Sequence, residues 1–198
     1  MGRLHGFQRI YKRHCRFHHH RELAGKVVDG HRGHFLEEVE LHFSNGKQAL
    51  YERLAGTGTG GVLVVPLVRG NMILLVREYS VGFERYELGF VKGRIENGES
   101  AEAAAVRELR EEIGFDAKQL RLLTSVSLWP NYSPFQTFIF LASSLYESPL
   151  AGDEPEELET LSWPIENLAS LRSRDDFTDA RCLLATYLIE EKVSIIDD

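Results

Sequence analysis

The chain has 198 residues, of which 43% are hydrophobic and 27% are charged, and this suits one globular domain with a sizeable core. Its formal net charge is -7, which argues against a general binder of nucleic acid or of anionic membranes. The two cysteines, Cys15 and Cys182, lie far apart and outside any CxxC pattern, so a reducing cytoplasm is expected and a disulfide framework is not.

The N-terminal segment is basic and rich in histidine. Residues 1–22 hold six Arg or Lys and five of the eight histidines, but no serine. A metal-binding tract, a nucleic-acid arm and a transit peptide are three functional interpretations, although a transit peptide should be rich in serine. Residues 1–21 lack the continuous apolar core of a signal peptide. Because disorder concentrates at termini, we expect residues 1–25 to be a flexible basic and His-rich arm.

A β-hairpin region is predicted over residues 26–55, with ordered structure beginning near Lys26. Apolar and polar residues alternate over residues 37–43, and Ser44, Asn45 and Gly46 separate them from residues 48–53. Alternation on both sides of an Asn-Gly pair predicts a hairpin. We expect this N-terminal pair of antiparallel strands to take part in dimerisation.

Strands dominate the middle of the chain. The nearly unbroken apolar run at residues 61–68 predicts a buried strand, with residues 72–76 as its partner. Further strands are predicted over residues 87–91, 121–128, 136–141 and 159–163, and helices over residues 100–113, 165–171 and 179–190. This pattern indicates an α+β fold in which helices cover a mixed sheet.

The helix predicted over residues 100–113 carries an acidic face. Ser100 suits its N-cap and Gly114 the position after its C-terminus. At about 100° per residue, one face is apolar and an adjacent face carries three carboxylates, Glu108, Glu111 and Glu112. Like charges at i,i+4 destabilise a helix by about 0.2–0.5 kcal/mol per pair, and acids in the last turn oppose the helix dipole.

Two interpretations explain this acidic face. A divalent ion, Mg²⁺ or Mn²⁺, would be bound by the carboxylates and would allow an acidic protein to act on an anionic substrate. A solvated face with ion pairs is the alternative, and the carboxylates taken alone favour it, because motif matches carry false positives.

The spacing around the helix favours the metal interpretation. The chain matches the pattern G-x5-E-x7-R-E-U-x-E-E-x-G-U at eight specified positions over 23 residues, namely Gly93, Glu99, Arg107, Glu108, Leu109, Glu111, Glu112 and Gly114. On these residues the chain resembles the Nudix hydrolase family. Phe115 stands where the family usually has an aliphatic residue, so we expect a repacked core contact without an effect on the chemistry.

The motif has a physical rationale. Gly93 permits a tight loop before the helix, and Glu99 and Arg107 are placed to brace that loop against the helix by a charge-assisted bond. The resemblance implies that Glu108, Glu111 and Glu112 bind Mg²⁺, with Mn²⁺ as a second choice. It also implies that the backbone carbonyl of Lys92 reaches the metal.

The resemblance extends over residues 38–193, to the ADP-ribose pyrophosphatase branch of the family. It rests on residues 43–46 with 51–53, on residues 76–79, 86–90 and 92–93, and on residues 152–156 before Trp163 and Pro164. It implies a Nudix domain over residues 56–198, built as an α/β/α sandwich with a mixed sheet. It further implies a homodimer in which N-terminal strands contribute to the partner's site. The implied substrates are ADP-ribose, diadenosine oligophosphates and NADH, with AMP among the products.

Four residues outside the motif are candidate substrate contacts. Arg77, with Glu78 beside it, suits bidentate phosphate binding, although a surface ion pair explains it equally well. Arg53 would reach substrate across a dimer, but an arginine at a hairpin end is more often solvated. Tyr132 would stack on adenine, with a packed loop anchor as the alternative.

The acidic loop at residues 153–157 is the candidate source of a general base. In the branch that the chain resembles, a glutamate of the corresponding loop activates the attacking water. Glu154 is the first choice and Glu156 the second, with a solvated acidic loop as the alternative.

Two other classes of function stay open. A nucleotide sensor on the same fold would bind without turnover, but such domains tend to lose the motif's carboxylates. An RNA-end pyrophosphohydrolase would need a basic groove with aromatic residues, whereas the basic excess here lies in residues 1–22. We therefore expect a cytoplasmic homodimer that acts on a small-molecule nucleotide, with neither nucleic acid nor membrane as a partner.

Overall fold

The computed structural model describes residues 21–31, 34–56, 60–69, 71–152 and 155–194. The chain divides into two units, each held together by its own contacts. The first comprises Met1–Thr57 with Trp129–Pro134, and the second comprises Gly58–Leu128 with Phe135–Asp198.

The first unit contains a three-stranded antiparallel sheet in the order β1-β2-β3. Its strands are β1 (Arg21–His31), β2 (His34–His42) and β3 (Gln48–Gly56). The predicted hairpin between β2 and β3 is confirmed: Gly46 has a φ of +81°, and its N–H donates to the Phe43 carbonyl at 2.9 Å. The first strand begins at Arg21, earlier than the predicted start at Lys26. Residues 1–20 of the predicted arm lie outside the described residues, and the proposed domain boundaries stay a prediction.

The second unit is built on a seven-stranded mixed sheet. Its strands are β4 (Gly61–Val68), β5 (Met72–Ser80), β6 (Arg85–Gly89), β7 (Val91–Arg94), β8 (Phe115–Ser127), β9 (Gln136–Glu147) and β10 (Glu159–Pro164). The order is β10-β5-β4-β9-β8, with β6 paired to β5 and β7 to β4. The β4–β9 pair is parallel and the other pairs are antiparallel. The predicted mixed sheet is confirmed.

Helices cover both faces of this sheet. They are α1 (Ala101–Glu112), α2 (Leu168–Arg172), which follows a 3-10 turn at Ile165–Asn167, and α3 (Ala180–Ser194). Successive residues of β4 point to opposite faces, so Val62 and Val64 join the hydrophobic cluster under α1, whereas Leu63 and Val65 join the cluster under α2 and α3. This explains the unbroken apolar run and confirms the predicted α/β/α sandwich. Within the described residues, no helix combines the length and apolar character needed to cross a bilayer.

Two strand predictions need correction. The single strand predicted over residues 87–91 is two strands, since β6 ends at Gly89 and β7 begins at Val91. The strand predicted from residue 121 begins at Phe115, directly after α1. Because β8 lies at the end of the strand order and pairs with β9 alone, polar residues at its start stay exposed and do not give an apolar pattern.

Candidate active site

The helix α1 forms as the sequence predicted. The Ser100 side chain accepts a hydrogen bond from the Ala103 N–H at 3.1 Å, which satisfies a free donor of the first turn. Gly114, with a φ of +75°, ends the helix. Ala104, Ala105 and Leu109 are fully buried against the sheet. This packing fixes the rotation of α1 and therefore the direction of its acidic face.

Arg107 organises the acidic face by using each of its five N–H donors. Its Nε and Nη2 donate to Glu99 at 3.0 and 3.2 Å, and Nη2 also donates to the Arg94 carbonyl at 2.8 Å. Its Nη1 donates to Glu108 at 2.8 Å and to Glu111 at 2.9 Å. The predicted brace between Glu99 and Arg107 is confirmed, and the same guanidinium also holds two of the three helix carboxylates.

These contacts change the proton affinities of both partners. The hydrogen bonds from Arg107 hold the pKa of Glu99 below its ordinary value. The Glu99 carboxylate, with Glu108 and Glu111, raises the pKa of Arg107 despite its partial burial. The brace is therefore charged on both sides at neutral pH.

Glu112, the third carboxylate, lies in a different environment. It accepts a hydrogen bond from the backbone N–H of Lys92 at 3.3 Å. Burial raises the pKa of Glu112 to about 8, against the opposing effect of Lys92, and the charges of Glu108 and Glu78 add to the increase. The ionised form of this side chain is thus poorly compensated by the protein itself.

Gly93 has a different role from the one that the sequence suggested. It lies within strand β7 rather than in a loop, and a Cβ at this position would collide with the carboxylate of Glu108. The tight turn before the helix is made instead by Gly98, with a φ of +85°. Gly98 occupies a position that the motif leaves unspecified, although the Asn97-Gly98 pair is a turn signal. Gly93 provides the space that lets Glu108 approach the backbone.

The donor chemistry of this region fits a divalent metal ion. Glu108 and Glu112 both lie against the Lys92–Gly93 segment, and burial of Glu112 disfavours its ionised form more than Lys92 stabilises it. Oxygen ligands of this kind are those that Mg²⁺ and Mn²⁺ prefer. Within the described residues, no three acidic, His or Cys side chains are gathered as ligands of one ion. Two of the three carboxylates bond Arg107 instead.

A second ion pair lies beside the carboxylates. The Lys92 ammonium donates to the Glu78 carboxylate at 2.5 Å, and both side chains are partly shielded from solvent. Burial alone would lower the pKa of Lys92, but the attraction and hydrogen bond of Glu78 outweigh it and the pKa is raised. Glu78, a predicted substrate contact, is thus paired within the protein. The resemblance pointed only to the carbonyl of Lys92, because no spacing in the sequence shows that its side chain reaches Glu78.

Arg77 is also engaged in ion pairs. Its Nε lies 3.3 Å from Glu159 on the neighbouring strand β10, and its Nη2 lies 3.8 Å from Asp176. The surface ion pair offered as its alternative role is therefore present. Its predicted role in phosphate binding stays a prediction.

A cavity of about 550 Å³ lies between the last turn of α1 and the loop that follows β9. Its lining includes Glu111 and Glu112 from the helix side and Glu156 and Glu157 from the loop. Glu154, the first candidate for the base, lies outside the described residues. The structure thus brings the acidic loop, from Pro155 onward, beside the helix carboxylates.

The remaining two candidates belong to the first unit. Arg53 Nε donates to Glu37 at 2.7 Å, in a cross-strand pair between β2 and β3. The Tyr132 carbonyl accepts a hydrogen bond from the Leu54 N–H at 2.6 Å, while the Tyr132 side chain is 62% exposed. The loop is thus attached to β3 through the backbone of Tyr132, whereas the Tyr132 ring is largely exposed to solvent. The roles of Arg53 and Tyr132 in substrate binding stay predictions.

Comparison with known proteins identifies related sequences and structures. The NUDIX domain model matches residues 59–185. The ADP compounds hydrolase NudE of Escherichia coli (strain K12) is 45% identical over 156 residues, which cover 79% of this chain and 83% of that protein. The ADP-ribose pyrophosphatase of Bacillus subtilis (strain 168) is 30% identical over 175 residues, which cover 87% and 90%. A crystal structure of an ADP compounds hydrolase superposes with a TM-score of 0.83 at 39% identity and covers 92% of this chain and 98% of that one.

Proposed function

The chain belongs to the Nudix family of hydrolases, and from this premise we propose that it hydrolyses the pyrophosphate bond of ADP-containing small molecules and releases AMP. The proposed substrates are ADP-ribose, diadenosine oligophosphates and NADH. The names of the two relatives, an ADP compounds hydrolase and an ADP-ribose pyrophosphatase, support this substrate class. The observation that carries the proposal is the acidic face of α1, held by Arg107 beside an acidic loop.

Nudix hydrolases generally use divalent metal ions. We propose Mg²⁺, with Mn²⁺ as the second choice, and assign its ligands to Glu108, Glu111, Glu112 and the backbone carbonyl of Lys92. When bound, such an ion neutralises the diphosphate, polarises the phosphorus and favours ionisation of a water molecule. Burial raises the pKa of Glu112 to about 8, and a cation beside it would favour its ionised form, which supports this assignment.

The protein's own residues position the reactants. Arg107 keeps Glu108 and Glu111 in place through the brace with Glu99. In the proposed reaction Glu154 takes a proton from the attacking water. The water oxygen bonds to one phosphorus while the bridging P–O bond on its opposite side breaks. If the phosphorus of the AMP half is attacked, AMP carries the oxygen from water. If the other phosphorus is attacked, AMP leaves with the former bridging oxygen. Positioning and charge stabilisation supply most of the rate in such reactions.

Substrate contacts complete the proposal. Arg77 would bind the diphosphate, which requires it to exchange its ion pairs with Glu159 or Asp176 for phosphate oxygens. Glu78 would act next to it, held by Lys92. Arg53 and Tyr132 are proposed to contact substrate as well.

We also propose that the protein is a homodimer that uses its N-terminal strands. Strand β3 carries exposed apolar side chains, with Leu50 at 61% and Tyr51 at 51% exposure. Exposed apolar groups of this size are often covered by a partner. Light scattering on a size-exclusion column is expected to give twice the chain mass of 22.6 kDa. A monomer at all concentrations would contradict this part of the proposal.

A substrate panel tests the function. The protein is incubated with ADP-ribose, NADH, diadenosine triphosphate and 5′-triphosphorylated RNA, each with Mg²⁺ and with EDTA. We expect AMP from the small molecules alone, and only with metal. Turnover of RNA with inert small molecules would support the RNA-end enzyme, and tight binding without turnover would support the sensor. Calorimetry that detects no uptake of Mg²⁺ or Mn²⁺ would contradict the metal assignment.

A further inference from the structure

The loop that follows β9 is attached to the rest of the second unit near both of its ends. At its start, the Leu150 N–H donates to the Arg110 carbonyl at 3.0 Å, and Arg110 Nε donates to the Ser148 carbonyl at 3.0 Å. These contacts tie the beginning of the loop to the last turns of α1. Near its other end, the loop is bonded to strand β6 through Glu156.

The contact at Glu156 is made by the hydroxyl of Tyr86. This hydroxyl lies 2.9 Å from one carboxylate oxygen of Glu156 and 3.2 Å from the other. The Tyr86 ring packs edge-on against Tyr79, with ring centroids 5.4 Å apart and an interplanar angle of 77°. The hydrogen bond to Glu156 raises the pKa of Tyr86, so the phenol keeps its proton and acts as the donor. Tyr86 is therefore a fixed donor on a strand that faces a carboxylate on the loop.

This bond holds the described part of the loop from Pro155 onward against strand β6. The cavity of about 550 Å³ is bounded on one side by Glu111 and Glu112 and on the other by Glu156 and Glu157. The width of this cavity depends on how closely the loop is held. The start of the loop is bonded to α1, and the Tyr86–Glu156 bond holds the part near its other end. Both groups are exposed, so water competes for the bond and its contribution to the stability of the fold is small. Its main effect is thus on position.

We propose that Tyr86 is a positioning residue that holds the acidic loop through Glu156, and that Glu156 serves as the loop's anchor instead of its general base. Both carboxylate oxygens of Glu156 lie within 3.2 Å of the Tyr86 hydroxyl, so this side chain is held against strand β6, which suits an anchor better than a base. The proposal rests on the pyrophosphatase function proposed above. It separates Glu156 from Glu154, which the sequence had ranked only by preference.

Four variants distinguish an anchor from a base. Tyr86→Phe removes the donor and keeps the ring contact with Tyr79. Glu156→Ala removes the acceptor, while Glu156→Gln keeps an amide oxygen that accepts from Tyr86 but cannot act as a base. The fourth is the double variant Tyr86→Phe with Glu156→Ala. Tyr146→Phe is the matched control, because Tyr146 is a similarly exposed tyrosine whose hydroxyl bonds Asp116 on the neighbouring strand β8.

Kinetics with ADP-ribose and Mg²⁺ give the first readout. We expect Tyr86→Phe and Glu156→Ala each to lower kcat about tenfold with KM changed less than about twofold, because misplacement of a reacting group acts on kcat. The double variant should be no worse than Glu156→Ala, since both changes remove one bond. Glu156→Gln should keep more than about half of kcat, as should Tyr146→Phe. Equal loss in Glu156→Gln and Glu156→Ala would identify a base and overturn the proposal.

Hydrogen–deuterium exchange gives a second readout that needs no substrate. Amides of residues 156–158 should exchange faster in Tyr86→Phe and Glu156→Ala, and at the wild-type rate in Glu156→Gln and Tyr146→Phe. Unchanged exchange in Tyr86→Phe would refute the anchor. If the wild-type protein cleaves no ADP compound, the proposed function fails, while exchange still decides whether Tyr86 holds the loop.

Discussion

Replacing Arg107 by lysine tests whether a planar fork of donors, rather than a positive charge, organises the acidic face. Arg107 donates five hydrogen bonds, to Glu99, Glu108, Glu111 and the Arg94 carbonyl. An ammonium has three donors on one atom and cannot reach all of these acceptors. At least two bonds are therefore lost in Arg107→Lys, although the charge is kept.

The cost of this change follows from the number of bonds and their shielding. The acceptor carboxylates are between 12% and 18% exposed, so water replaces the lost donors only in part. At about 1.5 kcal/mol for each bond that involves a charged group, the free energy of unfolding falls by about 3 kcal/mol. For a chain of this length the melting temperature should fall by roughly 6–12 °C. Displacement of Glu108 and Glu111 should lower kcat by about a hundredfold.

Two assays check this prediction. Thermal unfolding by circular dichroism measures the loss of stability, and AMP release from ADP-ribose measures kcat. Arg110→Lys is the matched control on the same helix, because Arg110 donates from Nε to one backbone carbonyl of the adjoining loop. The melting temperature of the Arg110→Lys variant should change much less than that of Arg107→Lys. A melting temperature within about 2 °C of wild type for Arg107→Lys, with kcat within twofold, would refute the reasoning.

Three further substitutions give separate tests. Glu112→Gln should lower kcat by about a hundredfold or more without lowering the melting temperature, because burial already disfavours the charge that the amide replaces; near-normal turnover would contradict the metal assignment. Gly93→Ala should lower kcat at least about tenfold with little loss of stability, because the new Cβ displaces the flexible end of Glu108 and not the backbone. A variant that unfolds cooperatively and keeps a normal kcat would argue against a functional role for the approach of Glu108 to Gly93. The hydrogen bond from Arg174 lowers the pKa of Asp176 in the folded protein below its ordinary value of 3.8. The ionised carboxylate therefore stabilises the fold at pH values above 3.8. This contribution is lost as the pH falls from 3.8 through the lower pKa of the folded state. Acid titration of Asp176→Asn should therefore show a shallower loss of stability below pH 3.8 than the wild type, and identical titrations would refute it.

The features that the sequence predicted well are those with local causes. The helix α1 carries its own signals, because the N-cap Ser100, the C-terminal Gly114 and the apolar periodicity lie within one short segment. The brace between Glu99 and Arg107 was predictable from the same motif. The N-terminal hairpin was equally clear, because the Asn-Gly turn and the flanking alternation are adjacent in the chain.

The features that the sequence missed depend on partners far along the chain or on position in the sheet. The bond between Tyr86 and Glu156 joins residues 70 positions apart, so no spacing reveals it. The start of β8 was missed because an edge strand has little need of apolar residues. Gly93 was assigned a turn because glycine most often permits one, whereas its function here depends on where Glu108 comes to lie in three dimensions.

The way in which β4 divides its side chains between two helix layers has a consequence for engineering. Leu63 and Val65 pack under α2 and α3, while Val62 and Val64 support the helix with the three carboxylates. Residues that share no contacts tend to have additive effects on stability. Stabilising changes beneath α2 and α3 should therefore leave the carboxylate side largely unaffected, provided that Cys182 is kept, because its Sγ accepts a hydrogen bond from the Phe90 N–H close to Lys92.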